Sequence, residues 1–286
     1  MANVLFLYDT KALGAGVTIA ASSQASTSMV AANLLDPDPG IRWRATGSAS
    51  ETVTLTFPSV VDLRWLALIN HNLSLAAQVI AEIAEVYDGA FTTTVGPQDA
   101  WTGVYGLGDG RLGIEPLGGY PSSSERADMQ AVALIDLGSV VGCKQLRLTI
   151  TDPDNPDGYV TAGVLFADAG FTPERNMSFD WRLARVDPST QIRLEAGGAR
   201  AIKRTSWRTL ALPFGFAEES DAIQFFGDME RLAGLSGHVL ITAFPGAGTA
   251  AEQRTTLYGL LAGIEGVQNW TFGLYRTGVT IQEVRG

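Results

Sequence analysis

Apolar and polar residues alternate with a period of two along much of this chain. From Glu51 to Phe57, Thr52, Thr54 and Thr56 fall on one side and Val53, Leu55 and Phe57 on the other, as in a half-buried strand. Gln145–Thr151 repeats the pattern with Leu146, Leu148 and Ile150 inward. Leu63–Ile69 and Val132–Leu137 are shorter apolar runs stopped by turn residues. Asp36-Pro37-Asp38-Pro39-Gly40 and Asp152-Pro153-Asp154-Asn155-Pro156-Asp157-Gly158 are turn clusters, because proline presets φ and Asp and Asn accept local backbone bonds. Many short strands between such turns predict a sandwich or jelly roll. Glycines crowd Gly103–Gly119 too densely for a core strand and predict a long loop.

A change of pattern near Phe171-Thr172-Pro173 divides the chain into residues 1–170 and 171–286. In the second part, Met177–Arg185, Gln191–Leu194, Trp207–Phe216, Val239–Phe244, Leu257–Leu261 and Val279–Val284 read as strands. In Trp207–Phe216 the alternation places Leu210, Leu212, Phe214 and Phe216 on one side. One helix is predicted over residues 220–233. Ser220 is its N-cap and Asp221 lies in its first turn. Its stripe is Ala222, Phe225, Phe226, Met229, Leu232 and Ala233, and Gly234 follows as the stop. The expected fold is mainly β: an N-terminal jelly-roll β-sandwich, then an α+β domain with a dominant sheet and one covering helix.

Composition narrows the function classes. At 286 residues and 46% apolar, the chain supports real cores without staples. Cys143 is the single cysteine, so no intrachain disulfide forms, and it reads as a small buried side chain. No basic region precedes the short apolar run Val4–Tyr8, and serines interrupt the uncharged Ala12–Leu35 stretch. Neither a signal peptide nor a membrane span is expected, and synthesis in a cytoplasm is. The net charge of −10 belongs to residues 1–170; residues 171–286 are neutral, arginine-rich and hold one lysine, Lys203. An acidic half repels phosphate, so no nucleic-acid partner is expected.

Candidate chemistry is sparse. His71 and His238 lack the spacing of a zinc site, and no nucleophile elbow or P-loop occurs. Gly106-Leu107-Gly108-Asp109-Gly110 lacks the Lys-Ser/Thr of a phosphate loop. No catalytic residues, cofactor or enzymatic activity are expected. Asp152, Asp154 and Asp157 are a weak calcium candidate, without EF-hand spacing; the other reading is a proline-locked turn. Arg42-Trp43-Arg44, with His71, is the candidate carbohydrate site: an aromatic flanked by guanidinium groups stacks on sugar rings and bonds hydroxyls. Its competing reading puts Trp43 in the core and pairs the arginines with Asp36 or Asp38.

Several of these pieces resemble a known family. Asn33-Leu34-Leu35-Asp36, Arg42-Trp43-Arg44, Thr52–Phe57, Ala67-Leu68-Ile69-Asn70-His71-Asn72 and Leu146–Tyr159 resemble galactose-binding-like (discoidin-type) jelly rolls of bacteriophage tail proteins. Ser206-Trp207-Arg208-Thr209-Leu210, the Ala222–Ala233 helix, Phe244-Pro245, Leu257-Tyr258-Gly259 and Phe272–Ile281 resemble minor tail proteins of the distal-tail type. That resemblance implies a structural virion protein at the tail tip or baseplate, forming a ring of commonly six copies between tail tube and hub. It also implies neighbouring tube, hub and tape-measure proteins as partners. In that family the ring domain comes first and the carbohydrate-binding-like domain second; here the order is reversed. The alternative is a host-recognition protein that grips surface glycan through jelly-roll loops.

Overall fold

The computed structural model describes residues 3–87, 89–103, 119–193 and 197–286. Most of the glycine-rich Gly103–Gly119 stretch, including Gly106–Gly110, lies outside them. The protein is mainly β with a few short helices. Its strands are β1 (Leu5–Leu7), β2 (Thr18–Ala21), β3 (Trp43–Arg44), β4 (Glu51–Ile69), β5 (Gln78–Ala84), β6 (Thr93–Asp99), β7 (Val132–Thr151), β8 (Thr161–Ala162), β9 (Val164–Asp168), β10 (Arg182–Val186), β11 (Thr190–Arg193), β12 (Ala199–Ile202), β13 (Trp207–Glu218), β14 (His238–Thr242), β15 (Leu257–Thr271) and β16 (Leu274–Glu283). The helices are α1 (Ser123–Asp128), α2 (Gly227–Leu232) and α3 (Ala250–Thr255).

The first half is built on two long strands. In one sheet the order is β2-β4-β7-β5-β6, with β9 joined to the second half of β4. The separate apolar runs predicted at 51–57 and 63–69 are one 19-residue strand, and those at 132–137 and 145–151 are one 20-residue strand. Register shifts between Thr56 and Val61 and between Leu63 and Trp65 carry β4 through its turn-like middle. Val53, Leu55 and Phe57 point into the core with Leu146, Leu148 and Ile150, as the alternation predicts. The short β3–β8 ribbon brings Trp43 to the same core.

The second sheet has the order β1-β14-β15-β16-β13-β10. Its first strand comes from the chain's start: Leu5 pairs with Thr242 and Leu7 with Leu240. The division at residue 170 is therefore corrected for sheet membership. The jelly-roll half is an insertion between β1 and the remaining strands. Val4–Leu7 is buried on every side, so its continuous apolar run needs two covered faces rather than one.

The predicted helix is a wide i→i+5 turn over Ser220–Phe226 continuing into α2. Ala222, Phe226, Met229 and Ala233 are buried against the sheet, while Leu232 is half exposed. Asp221 accepts the Glu174 N–H at 2.7 Å, which ties the helix start to the junction between the halves. Gly234, at φ 51°, ends the helix, and its N–H reaches Met229 O at 3.3 Å.

A third core joins the halves. Leu5 and Leu7 of β1, Ala67 and Ile69 of β4, Val164 and Phe166 of β9, Leu240 and Tyr258 pack together. Leu66 and Leu68 face the first core and Ala67 and Ile69 face this one, so Leu66–Ile69 is buried on both faces. Tyr258 O–H donates to Pro37 O at 2.7 Å. Gln130 accepts the Tyr258 N–H at 2.7 Å and donates to Val284 O at 2.8 Å.

Candidate functional site

Trp43 does not offer a face to a sugar. It is 0% exposed, and its indole N–H donates to Ser23 O at 3.1 Å. The sandwich needs a large anchor where β3 crosses the end of the core, and the ring fills that place. Arg44 does not pair with Asp36 or Asp38. Its guanidinium lies 3.5 Å from the centroid of the Tyr159 ring. Arg42 is half-buried, and its carbonyl accepts the Asn33 side-chain N–H at 2.8 Å.

His71 is also inside. Asn70 adopts φ 57°, a left-handed conformation asparagine tolerates, and turns the chain so that His71 points inward. His71 Nδ1 accepts the Leu73 N–H at 3.2 Å, and its ring meets the edge of Trp101 at 5.3 Å. Nε2 is buried without a partner among the described residues. Burial pushes the imidazole pKa down to about 3, so the native ring is neutral. The unfolded chain takes up a proton below about pH 6.5 while the folded one does not. Stability from this group is therefore complete above pH 6.5 and lost as pH falls toward 3. Between pH 7.5 and 5 the loss is about 2 kcal/mol. Denaturant titrations of the wild type and His71→Gln at both pH values check this. The wild type should lose about that much more than the variant, and equal losses would remove His71 as the cause.

The three aspartates do not converge on a cation. Asp152 is fully buried. It accepts the Ser74 N–H and the Asn155 side-chain N–H, each at 2.8 Å, and the Ser74 hydroxyl. Asp154 is exposed, and Asp157 accepts from the Asn72 side chain at 2.8 Å. The segment is a hydrogen-bonded turn that pins β7 to the Asn72 loop. Among the described residues no three His, Cys, Asp or Glu side chains gather to hold a metal. Cys143 is buried, and burial pushes its thiol up to about 12, where it is inert.

The exposed feature lies on the second half. Phe179, Phe216, Trp270 and Phe272 are all exposed, Phe179 and Phe272 as fully as a free side chain. Phe216, Trp270, Arg276, Ser178, Asp180, Pro213 and Gly215 line one shallow depression of about 170 Å³. The alternation puts Phe216 on the same side as Phe214. A bulge between Phe214 and Ala217 reverses the alternation, buries Ala217 and turns Phe216 outward. Trp270 and Phe272 sit at the far end of the β15–β16 hairpin, where seven consecutive residues of β15 are exposed. Trp181 packs edge-on against Phe244 at 5.7 Å, and Trp207 is half-buried.

No family model and no curated protein sequence matches the chain. Among solved structures, a family 32 carbohydrate-binding module of Clostridium perfringens in complex with galactose is similar at TM-score 0.38 and 12% identity, over 57% of this chain and 98% of that one. A chitosan-binding module of a Paenibacillus chitosanase/glucanase in complex with chitotriose is similar at TM-score 0.36 and 13% identity, over 55% and 98%. A fucosidase of Ruminococcus gnavus in complex with fucose is similar at TM-score 0.36 and 11% identity. It covers 57% of this chain, which spans only 27% of the fucosidase. The likeness is to jelly-roll modules over about half of the chain.

Proposed function

We propose that this chain is a non-enzymatic structural protein of a bacteriophage tail tip or baseplate. It self-associates through its second sheet and carries the inserted jelly roll outward. The observation that carries the reading is the exposed pair Phe216 and Trp270, on β13 and β15 of the second sheet, which line one shallow depression with Arg276. Exposed aromatics beside an arginine are the composition of an interface core. The distal-tail resemblance supports it further. The segments that carry that resemblance fall on β13, the 220–233 helix, the residues just after β14, and β15 and β16. With β1 in the same sheet, its first strand also precedes the jelly roll, which softens the reversed order of domains. Tube, hub and tape-measure proteins are the proposed neighbours, and six copies the proposed ring.

A second reading keeps the jelly roll as a glycan-binding module. It is favoured by the Arg44–Tyr159 stack, which sets a half-buried planar cation over an aromatic ring on that half.

One variant separates the two. Trp270→Ser with Phe272→Ser should weaken self-association by at least about 30-fold in sedimentation equilibrium, since truncating even one aromatic hot spot costs about 2 kcal/mol. The melting temperature should hold, because both side chains are exposed. A variant that associates like the wild type removes the assembly reading. A wild type that stays monomeric yet is retained by a glycan array, with retention unchanged in the variant, supports the second.

A further inference from the structure

We infer that the β11–β12 hairpin is a clasp for a second copy of this chain and grips the acidic first half of that copy. The inference rests on the proposed self-association and names the element and the charge that would carry it.

β11 and β12 pair with each other and with no third strand among the described residues. All eight of their residues are exposed. A two-stranded hairpin standing alone is marginal in water, so this one lacks in the single chain the packing that would hold it. It is nonetheless aimed. Val186 pairs with Trp207 at the end of the β10–β13 ribbon, and past the Asp187-Pro188-Ser189 bend the same two stretches meet again as Thr190 and Ile202. Ser189 N–H donates to Asp187 at 2.9 Å, and Arg204 N–H donates to the Ser189 hydroxyl at 2.9 Å. The bend is thereby held from both strands. Beyond it the paired part reaches roughly 13 Å.

The register sorts the hairpin's faces. Ile192 lies opposite Arg200 and Ile202 opposite Thr190, so the two isoleucines are diagonal neighbours on one face. They are 46% and 52% exposed, with Arg200 beside them. An apolar pair beside guanidinium suits a protein surface that is acidic around a small apolar centre. Residues 190–204 hold Arg193, Arg200, Lys203 and Arg204 against one acid, Glu195, within a half that is neutral overall. All of the chain's net −10 lies in residues 1–170. Residues 1–170 hold 18 acids against 8 bases, so on balance that half attracts a basic arm. A contact running from each copy's arm to the next copy's jelly roll is head-to-tail, and it closes into a ring where the rotation closes.

Lys203 makes the test direct, because it is the only lysine of residues 171–286 and is exposed. Full-length protein labelled with ¹⁵N is mixed with unlabelled protein and treated with a zero-length carbodiimide, which joins an amine to a carboxylate. Mixed-isotope peptides then report contacts between copies only. The expected result is Lys203 joined to an aspartate or glutamate of residues 3–170 in the other isotope. The exposed-site double variant Arg193→Glu, Arg200→Glu should melt like the wild type, lose that link, and weaken self-association about tenfold or more at low salt. About 0.5 M salt should act on the wild type in the same direction. Self-association with inter-copy links only within residues 171–286, or with none from Lys203, overturns the clasp and leaves the assembly reading standing. A wild type that is monomeric throughout overturns both.

Discussion

Phe226→Asp should leave the second sheet without a folded state. Phe226 is 1% exposed, and its ring lies 4.9 Å from Phe214, 6.0 Å from Phe6 and 6.3 Å from Phe171. Those four rings come from the start of the chain, the junction between the halves, β13 and the helix, so one side chain ties four segments together. Removing a buried phenylalanine costs about 3–5 kcal/mol. Placing a carboxylate there adds the cost of a buried charge with no partner, several kcal/mol more. The total is comparable with the whole stability of an ordinary domain, about 5–15 kcal/mol. Ile223→Asp, on the exposed side of the same turn, should shift stability by no more than about 0.5 kcal/mol. Chemical denaturation followed by tryptophan fluorescence checks both. Equal shifts in the two variants would mean that the helix is rotated from the phase described.

Trp43→Ala should cost about 3–5 kcal/mol of the first half's stability. The ring is fully buried in the first core, and its N–H would leave Ser23 O without its donor. The change should appear as a lower denaturant midpoint with an unaltered slope, since the surface exposed on unfolding stays nearly the same. A fully stable Trp43→Ala protein that had lost retention on a glycan array would show the ring to be a sugar platform, against its burial here.

The period-two signal was strong enough to reveal most strands of both sheets, because alternation records which face of a strand is buried. Trp43 was legible as core for the same reason any tryptophan is: it is too large to leave in water without a partner. What was not legible depended on neighbours distant in sequence. The apolar run Leu63–Ile69 reads as a short strand, yet its length reflects two covered faces, one of them supplied by residues near 240 and 258. Val4–Leu7 reads as part of the nearest domain, and only pairing with β14 reveals its sheet. The alternation in β13 gave the wrong side for Phe216 because a bulge adds a residue that the pattern does not mark; Gly215 was the only local hint. His71 looked like a polar group at the end of a strand. Its inward turn depends on the left-handed Asn70, which the sequence permits without requiring. The exposed aromatics at Phe179 and Phe272 carry no periodicity of their own, and burial alone distinguishes them from core residues.

The insertion of one half between β1 and its partners also orders events during synthesis. Leu5 and Thr242 pair across 237 positions. At ~5–20 residues per second, β1 leaves the ribosome roughly 10–50 s before β14 exists. Through that interval the inserted half can complete its own core, while the apolar Val4–Leu7 segment waits for a sheet not yet made. The second sheet therefore closes after the inserted half, once β14, β15 and β16 have been made. A product truncated before His238 has no such sheet, so connectivity by itself keeps incomplete chains out of any assembly that uses this surface.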